Sequence, residues 1–79
     1  MERTEILNKL SQIISDVVDD DELVINDDTT ASDVNGWDSL ARVLIVGQIQ
    51  NEFNVKLSSS EVSGLANVGA LVDAIKAKM

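Results

Sequence analysis

Apolar residues recur at helical spacing near the start of the chain. Ile6, Leu10, Ile13 and Val17 stand three or four positions apart, and Leu7, Ile14 and Val18 widen the same stripe. Glu2, Arg3, Glu5, Lys9, Gln12 and Asp16 mostly fall on the other side. The pattern predicts an amphipathic helix from about Arg3 to Val18. From Asp19 to Trp37 the period fails. The acidic run Asp19, Asp20, Asp21 and Glu22 leads into the apolar Leu23, Val24 and Ile25, and then into Asn26, Asp27, Asp28, Thr29 and Thr30. A connection this long is uncommon in a compact domain and points to a function or a short extra turn within it. Leu23, Ile25 and Val34 are expected to pin it to the core. Asn35-Gly36 is a turn signal, since both residues tolerate a positive φ.

Helical spacing resumes at Asp38 and runs to about Phe53. Asp38 is an N-cap candidate, because its carboxylate can accept a hydrogen bond from the first-turn backbone. Val43, Val46, Ile49 and Phe53 are expected to face the core, with Ile45 beside them. Leu40, Leu44 and Gly47 form a second apolar or small stripe, and one core-facing side does not need both. Ser58, Ser59 and Ser60 offer caps for a short third helix, with Glu61 in its first turn and Val62 and Leu65 pointing inward. Asn67 can cap a final helix with Val68, Leu71, Val72, Ile75 and Met79 on one face. Lys76 and Lys78 near its end complement the helix dipole. The predicted fold class is therefore all-α: three main helices plus a short one, with a long loop between the first two.

Composition narrows how such a fold is held together. Seventy-nine residues make a single domain spanning 1–79, at a size where one core is only marginally sufficient. The chain has no Cys and no Pro, four Gly, and only Trp37 and Phe53 as aromatics. Stability must come from packed Leu, Ile, Val and Ala, which the 44% hydrophobic content allows. No basic, then apolar, leader opens the chain, and no apolar run approaches the ~20 residues of a membrane span. A cytoplasmic location is the default expectation and a monomer the simplest state.

Fourteen acids against six bases leave a net charge of −8. Such a surface repels nucleic acid and anionic lipid, and it attracts partners with basic docking faces. With no His and no Cys, a Ser-His or Cys-His nucleophile pair cannot exist, and zinc loses its preferred ligands. A calcium loop fails too. Asp19 and Asp21 begin its pattern, but Leu23 stands at the third ligand position and Val24 where the Gly belongs. Paired carboxylates for glycoside chemistry would need a cleft that a bundle this small scarcely has.

What remains is Asn35-Gly36-Trp37-Asp38-Ser39-Leu40, directly ahead of an apolar helix. Ser39 is placed at a helix N-terminus, where unpaired N–H groups and the dipole favour negative charge, so a phosphate ester on its hydroxyl is electrostatically welcome. Local physics alone also allows a plain capping role for Ser39.

Asp38-Ser39-Leu40, preceded by Gly36-Trp37, resembles the phosphopantetheine attachment motif of acyl and peptidyl carrier proteins. The similarity covers essentially the whole chain. It takes in the length, the long acidic connection, Phe53 closing the next helix, and the Asn67-Val68-Gly69-Ala70-Leu71-Val72 opening of the last. The resemblance implies a right-handed four-helix bundle with a short third helix. It implies that a phosphopantetheinyl transferase moves 4'-phosphopantetheine from coenzyme A to Ser39, with magnesium at that enzyme's site. The carrier itself is not an enzyme, and the thiol this chain lacks would come from the arm. By the same resemblance Asp38 helps present the site to the transferase and Leu40 contacts it. Trp37 has two equal readings, packing beside the arm or anchoring the loop.

The sequence also departs from that family. Carriers of bacterial fatty-acid synthesis have an acidic helix after the motif, on which partners dock basic patches. Here that face reads Ala41, Arg42, Leu44, Gly47, Gln48, Gln50 and Asn51, with Glu52 the only acid, so electrostatic steering there should be weak. Leu40, Leu44 and Gly47 are read as an apolar docking surface, with Arg42 and Trp37 as further partner-binding candidates. Acyl-loading and acyl-using enzymes are the expected partners. The pathway expected is specialised: a polyketide, a modified fatty acid, an aminoacyl group or a surface saccharide. The alternative is an unmodified acidic helical module that keeps the carrier-like fold and binds a protein.

Overall fold

Helices account for each periodic segment of the chain in a computed structural model that describes residues 2–79. The first, α1 (Arg3–Val18), buries Ile6, Leu10 and Ile14 completely and Ile13 nearly so. Leu7, Val17 and Val18 pack at the edge of the same core. The helix stops because Asp19 turns into the left-handed region at φ 56°, a conformation that Asp and Asn reach more readily than bulky residues. The Ser15 hydroxyl then donates to the Asp20 carbonyl at 2.7 Å and secures the exit.

The second helix, α2 (Ser39–Phe53), lies against α1 and ends at Asn54, again left-handed at φ 55°. A short α3 (Ser59–Ser63) follows an extended link in which alternate residues Val55 and Leu57 are buried. Its start is a capping box: Ser58 Oγ accepts from the Glu61 N–H at 3.1 Å, and the Glu61 carboxylate accepts from the Ser58 N–H at 3.3 Å. The last helix, α4 (Val68–Lys78), is capped by Asn67, whose Oδ1 accepts from the Ala70 N–H at 2.9 Å. Its Val72 and Ile75 meet Ile45 and Ile49 of α2 and the α1 stripe in one fully buried cluster. This is the all-α bundle that the periodicity predicts. Among the described residues no helix is long and apolar enough to cross a membrane.

The long first connection is held rather than loose. Ile25 and Val34 are buried, Leu23 is partly buried, and Ala31–Asp33 form the extra 3₁₀ turn. Its strongest attachment is to α4. The Val68 N–H donates to the Thr29 carbonyl at 2.7 Å, and the Gly69 N–H to the Asp27 carbonyl at 2.9 Å. These are first-turn donors that a helix cannot satisfy internally, so the loop caps α4 with its own backbone. Arg3 clamps the same corner, donating from Nε to Asp73 at 2.8 Å, from Nη1 to Asp27 at 3.2 Å and from Nη2 to the Gly69 carbonyl at 3.2 Å.

Three expectations about facing are corrected. Val43 was expected in the core and is 53% exposed, while Ala41, expected on the outer face, is buried. The buried arc of α2 is Ala41, Ile45, Val46, Ile49 and Phe53. At 100° per residue Val43 lies about 160° around the helix from Ile45. A helix with apolar residues nearly all round has no unique phase, so the spacing Val43-Val46-Ile49-Phe53 fits helical geometry yet misplaces its first member. Met79 lies beyond the end of α4 and is exposed.

Candidate functional site

Gly36 sets the approach to the site. Its φ of 89° reverses the chain after Val34, and a side chain there would sit against Val18 at the end of α1. Two bonds tighten the turn: the Trp37 N–H donates to the Val34 carbonyl at 3.3 Å, and the Asp38 N–H to the Gly36 carbonyl at 3.1 Å. Asn35, also read as a positive-φ residue, keeps a negative φ, and Gly36 alone supplies the turn.

Asp38 is the N-cap of α2. Its Oδ1 accepts from the Ala41 N–H at 2.8 Å, and its carbonyl accepts from the Arg42 N–H at 2.9 Å. Ser39 is therefore the first residue of the helix, and it is exposed. With Asp38 doing the capping, the Ser39 hydroxyl has no hydrogen-bond partner among the described residues, and neither do the N–H groups of Ser39 and Leu40. The first turn of α2 contains no acid. A phosphate ester fits here: the oxygen is accessible and the helix end is its positive pole, with the one adjacent carboxylate, Asp38, engaged by the Ala41 N–H.

Beyond Ser39 the apolar stripe points to solvent. Leu40 is 69%, Val43 53% and Leu44 51% exposed. Gly47 continues the stripe, and a Cβ there would meet nothing within 4 Å. Leu40, Leu44 and Gly47 are thus brought together on one surface as expected, and Val43 joins them.

Trp37 and Arg42 go elsewhere. Both are partly buried, and both line a cavity of about 110 Å³ between the start of α2, α3 and the start of α4. Its other walls include Val62, Leu65, Val68 and Leu71. Trp37 also packs against the core from this position. Sequence reasoning missed the cavity. The pairing of small and aliphatic residues on α3 and α4 is its only trace in the sequence, and ordinary core packing leaves the same trace.

The sequence profile described as phosphopantetheine attachment site matches residues 8–75 of this chain. An acyl carrier protein of Thermotoga maritima is 32% identical over 77 residues, which cover 98% of this chain and 95% of that one. One from Prochlorococcus marinus is 30% identical, covering 99% and 98% of the two chains. The solution NMR structure of holo acyl carrier protein from Geobacter metallireducens superposes with a TM-score of 0.81 at 33% identity, covering 92% of this chain and 84% of that one. Family profile, relatives and fold agree with the attachment motif and its geometry. The chain belongs to the phosphopantetheine-binding acyl carrier protein family, whose covalent cofactor is 4'-phosphopantetheine.

Proposed function

We propose that Ser39 is the residue that carries the arm, and that the chain presents an acyl or aminoacyl thioester to partner enzymes of a specialised pathway. The supporting observation is the free, exposed hydroxyl at the first residue of α2, inside Asp38-Ser39-Leu40. When attached, the arm supplies the thiol that holds the acyl group. The chain's own residues do the rest. Asp38 fixes the start of α2 and keeps the Ser39 oxygen out of the capping bond. The exposed Leu40 and the helix end give the transferase its contact.

The specialised assignment rests on the surface of α2. Leu40, Val43 and Leu44 are exposed, and Glu52 is the one acid of the helix. Partners that dock through apolar contact suit this face better than partners that dock through basic patches, with Gly47 permitting close approach. Arg42 and Trp37 act at its inner edge. One domain working as a monomer in the cytoplasm, away from nucleic acid and membrane, completes the reading.

Incubation with coenzyme A and a broad-specificity phosphopantetheinyl transferase, followed by intact mass measurement, tests it. One added phosphopantetheine, absent in Ser39→Ala, is the expected result; an unmodified wild type would favour the protein-binding module instead. The pathway is tested separately with standard fatty-acid elongation enzymes. Loading and extension as efficient as for a general fatty-acid carrier would refute the specialised assignment.

A further inference from the structure

Arg42 is a cation without a partner on the helix that Ser39 begins. It is the one basic residue of α2. Among the described residues Arg3, Lys9 and Lys78 each form ion pairs, and Arg42 forms none. Its Nε is covered and bonds to nothing. The two Nη groups enter no hydrogen bond either, and they keep access to solvent. The stem is packed, because Arg42 lines the cavity beside the start of α2 together with Ala31 and Trp37. Packing accounts for the stem and not for the charge. A Leu or Met covers the same surface without leaving a charged donor unpaired.

The neighbours of a helical side chain stand three and four residues away, which for Arg42 are Asp38, Ser39, Ile45 and Val46. Ile45 and Val46 are buried and apolar. Asp38 is in register for an ion pair, yet its carboxylate caps the helix by accepting from the Ala41 N–H at 2.8 Å. The next acid back, Asp33, accepts from the Thr30 N–H at 3.0 Å. That leaves Ser39. Helical side chains lean toward the N-terminus of their helix, and Arg42 shows the lean by sharing a cavity wall with Trp37, which precedes the helix. Its head is thereby brought over the turn that Ser39 opens.

We infer that Arg42 is a positioning residue for the arm: once Ser39 is modified, the Arg42 Nη groups donate to the phosphodiester oxygens and fix the root of the arm against α2. Such a bond is charge-assisted, and a guanidinium can meet two phosphate oxygens at once. At 100° per residue Arg42 lies on one flank of Ser39, while Leu40, Val43, Leu44 and Gly47 lie on the other. An arm held by Arg42 therefore leaves the exposed apolar stripe open to partners. The inference rests on Ser39 bearing the arm, and deepens that reading.

The test loads the full chain by transferase from coenzyme A, locates the adduct by mass, and follows two NMR signals: the phosphorus resonance of the diester and the Arg42 guanidinium N–H resonances. Loading should slow solvent exchange of the Arg42 guanidinium hydrogens about two- to fivefold, the size of an exposed ion pair. High salt should reverse that slowing. In the loaded protein Arg42→Gln should shift the phosphorus resonance and remove its salt dependence. Arg42→Lys keeps the charge and loses the fork, so it should restore part of that dependence. A role in packing alone moves none of these signals. Unchanged Arg42 exchange on loading overturns the inference, and so does a phosphorus resonance identical in wild type and Arg42→Gln. If Arg42→Gln fails to fold, the exchange measurement on the wild type decides alone. An adduct on Ser39 with unaltered Arg42 signals sinks this inference only. No adduct on Ser39 sinks the attachment itself, and the positioning role with it.

Discussion

The Gly69 N–H donates to the Asp27 carbonyl at 2.9 Å, and a Cβ placed on Gly69 would lie 2.9 Å from that same oxygen. The hydrogen bond and the missing side chain are one arrangement. At Asp27 the loop backbone can come this close to α4 because residue 69 is Gly. That contact ties the segment leading to Ser39 onto the core.

Gly69→Ala should therefore destabilise the fold, although Ala is the better helix former. The displaced loop backbone costs about 1–3 kcal/mol, against a propensity gain of up to about 1 kcal/mol. Gly47 is the control. It is mid-helix and exposed, with open space around it, so Gly47→Ala should stabilise by up to about 1 kcal/mol. Denaturant titration of both variants checks the opposite signs.

Asp38 and Ser39 divide two tasks that the sequence allows either to perform. Asp38→Ala removes the cap on Ala41 and should cost roughly 0.5–2 kcal/mol. Ser39→Ala removes an exposed hydroxyl that bonds to nothing, so its effect should stay within about 0.5 kcal/mol. Thermal unfolding of the pair measures the split. A large loss in Ser39→Ala would give Ser39 a structural role.

Much of this was legible before any coordinates. The limits of α1 follow from its clean stripe, and the caps Asp38, Ser58 and Asn67 follow from side chains that can bond backward to a helix start. The position of Ser39 follows from Gly36 and Asp38 together. The ends at Val18 and Phe53 were legible too, but the left-handed turns at Asp19 and Asn54 that make them were not, because neither residue type requires a positive φ. The facing of α2 was ambiguous because Leu40, Val43 and Leu44 are as apolar as the residues that are buried. Arg42 looked like a surface residue, since only three-dimensional packing shows that its Nε is covered. The buried alternation of Val55 and Leu57 was present in the sequence as a period of two, masked by the short length of the link.

The corrected facing of α2 makes a sharp contrast. Ile49 is fully buried, so Ile49→Asp buries an unpaired charge and should abolish cooperative unfolding. Val43→Asp places its carboxylate in solvent and should leave a cooperative transition within about 1 kcal/mol of the wild type. Circular dichroism melts of the two variants are sufficient.

One carboxylate links α3 to α4. Glu61 is held below the usual carboxylate range, first by its hydrogen bond with Lys78 and then by the Ser58 N–H. Lys78 Nζ stands 3.0 Å from Glu61 Oε2. A carboxylate whose folded pKa lies below its unfolded value adds stability above the unfolded value, here 4.5, and loses it as pH falls through the folded one. The stability gap between wild type and Glu61→Gln should thus be greatest near neutral pH and close as pH drops below 4.5. A gap that widens on acidification would contradict the assignment.

The claim on which the others depend is that the Ser39 oxygen is the bearer of the arm. Seven other serines, Ser11, Ser15, Ser32, Ser58, Ser59, Ser60 and Ser63, provide internal competitors. Transferase-treated protein, digested and fragmented by tandem mass spectrometry, should show phosphopantetheine on the peptide containing Trp37-Asp38-Ser39 and on residue 39 alone. An adduct on any of the other seven, or none at all under conditions that modify a known carrier, would contradict the account.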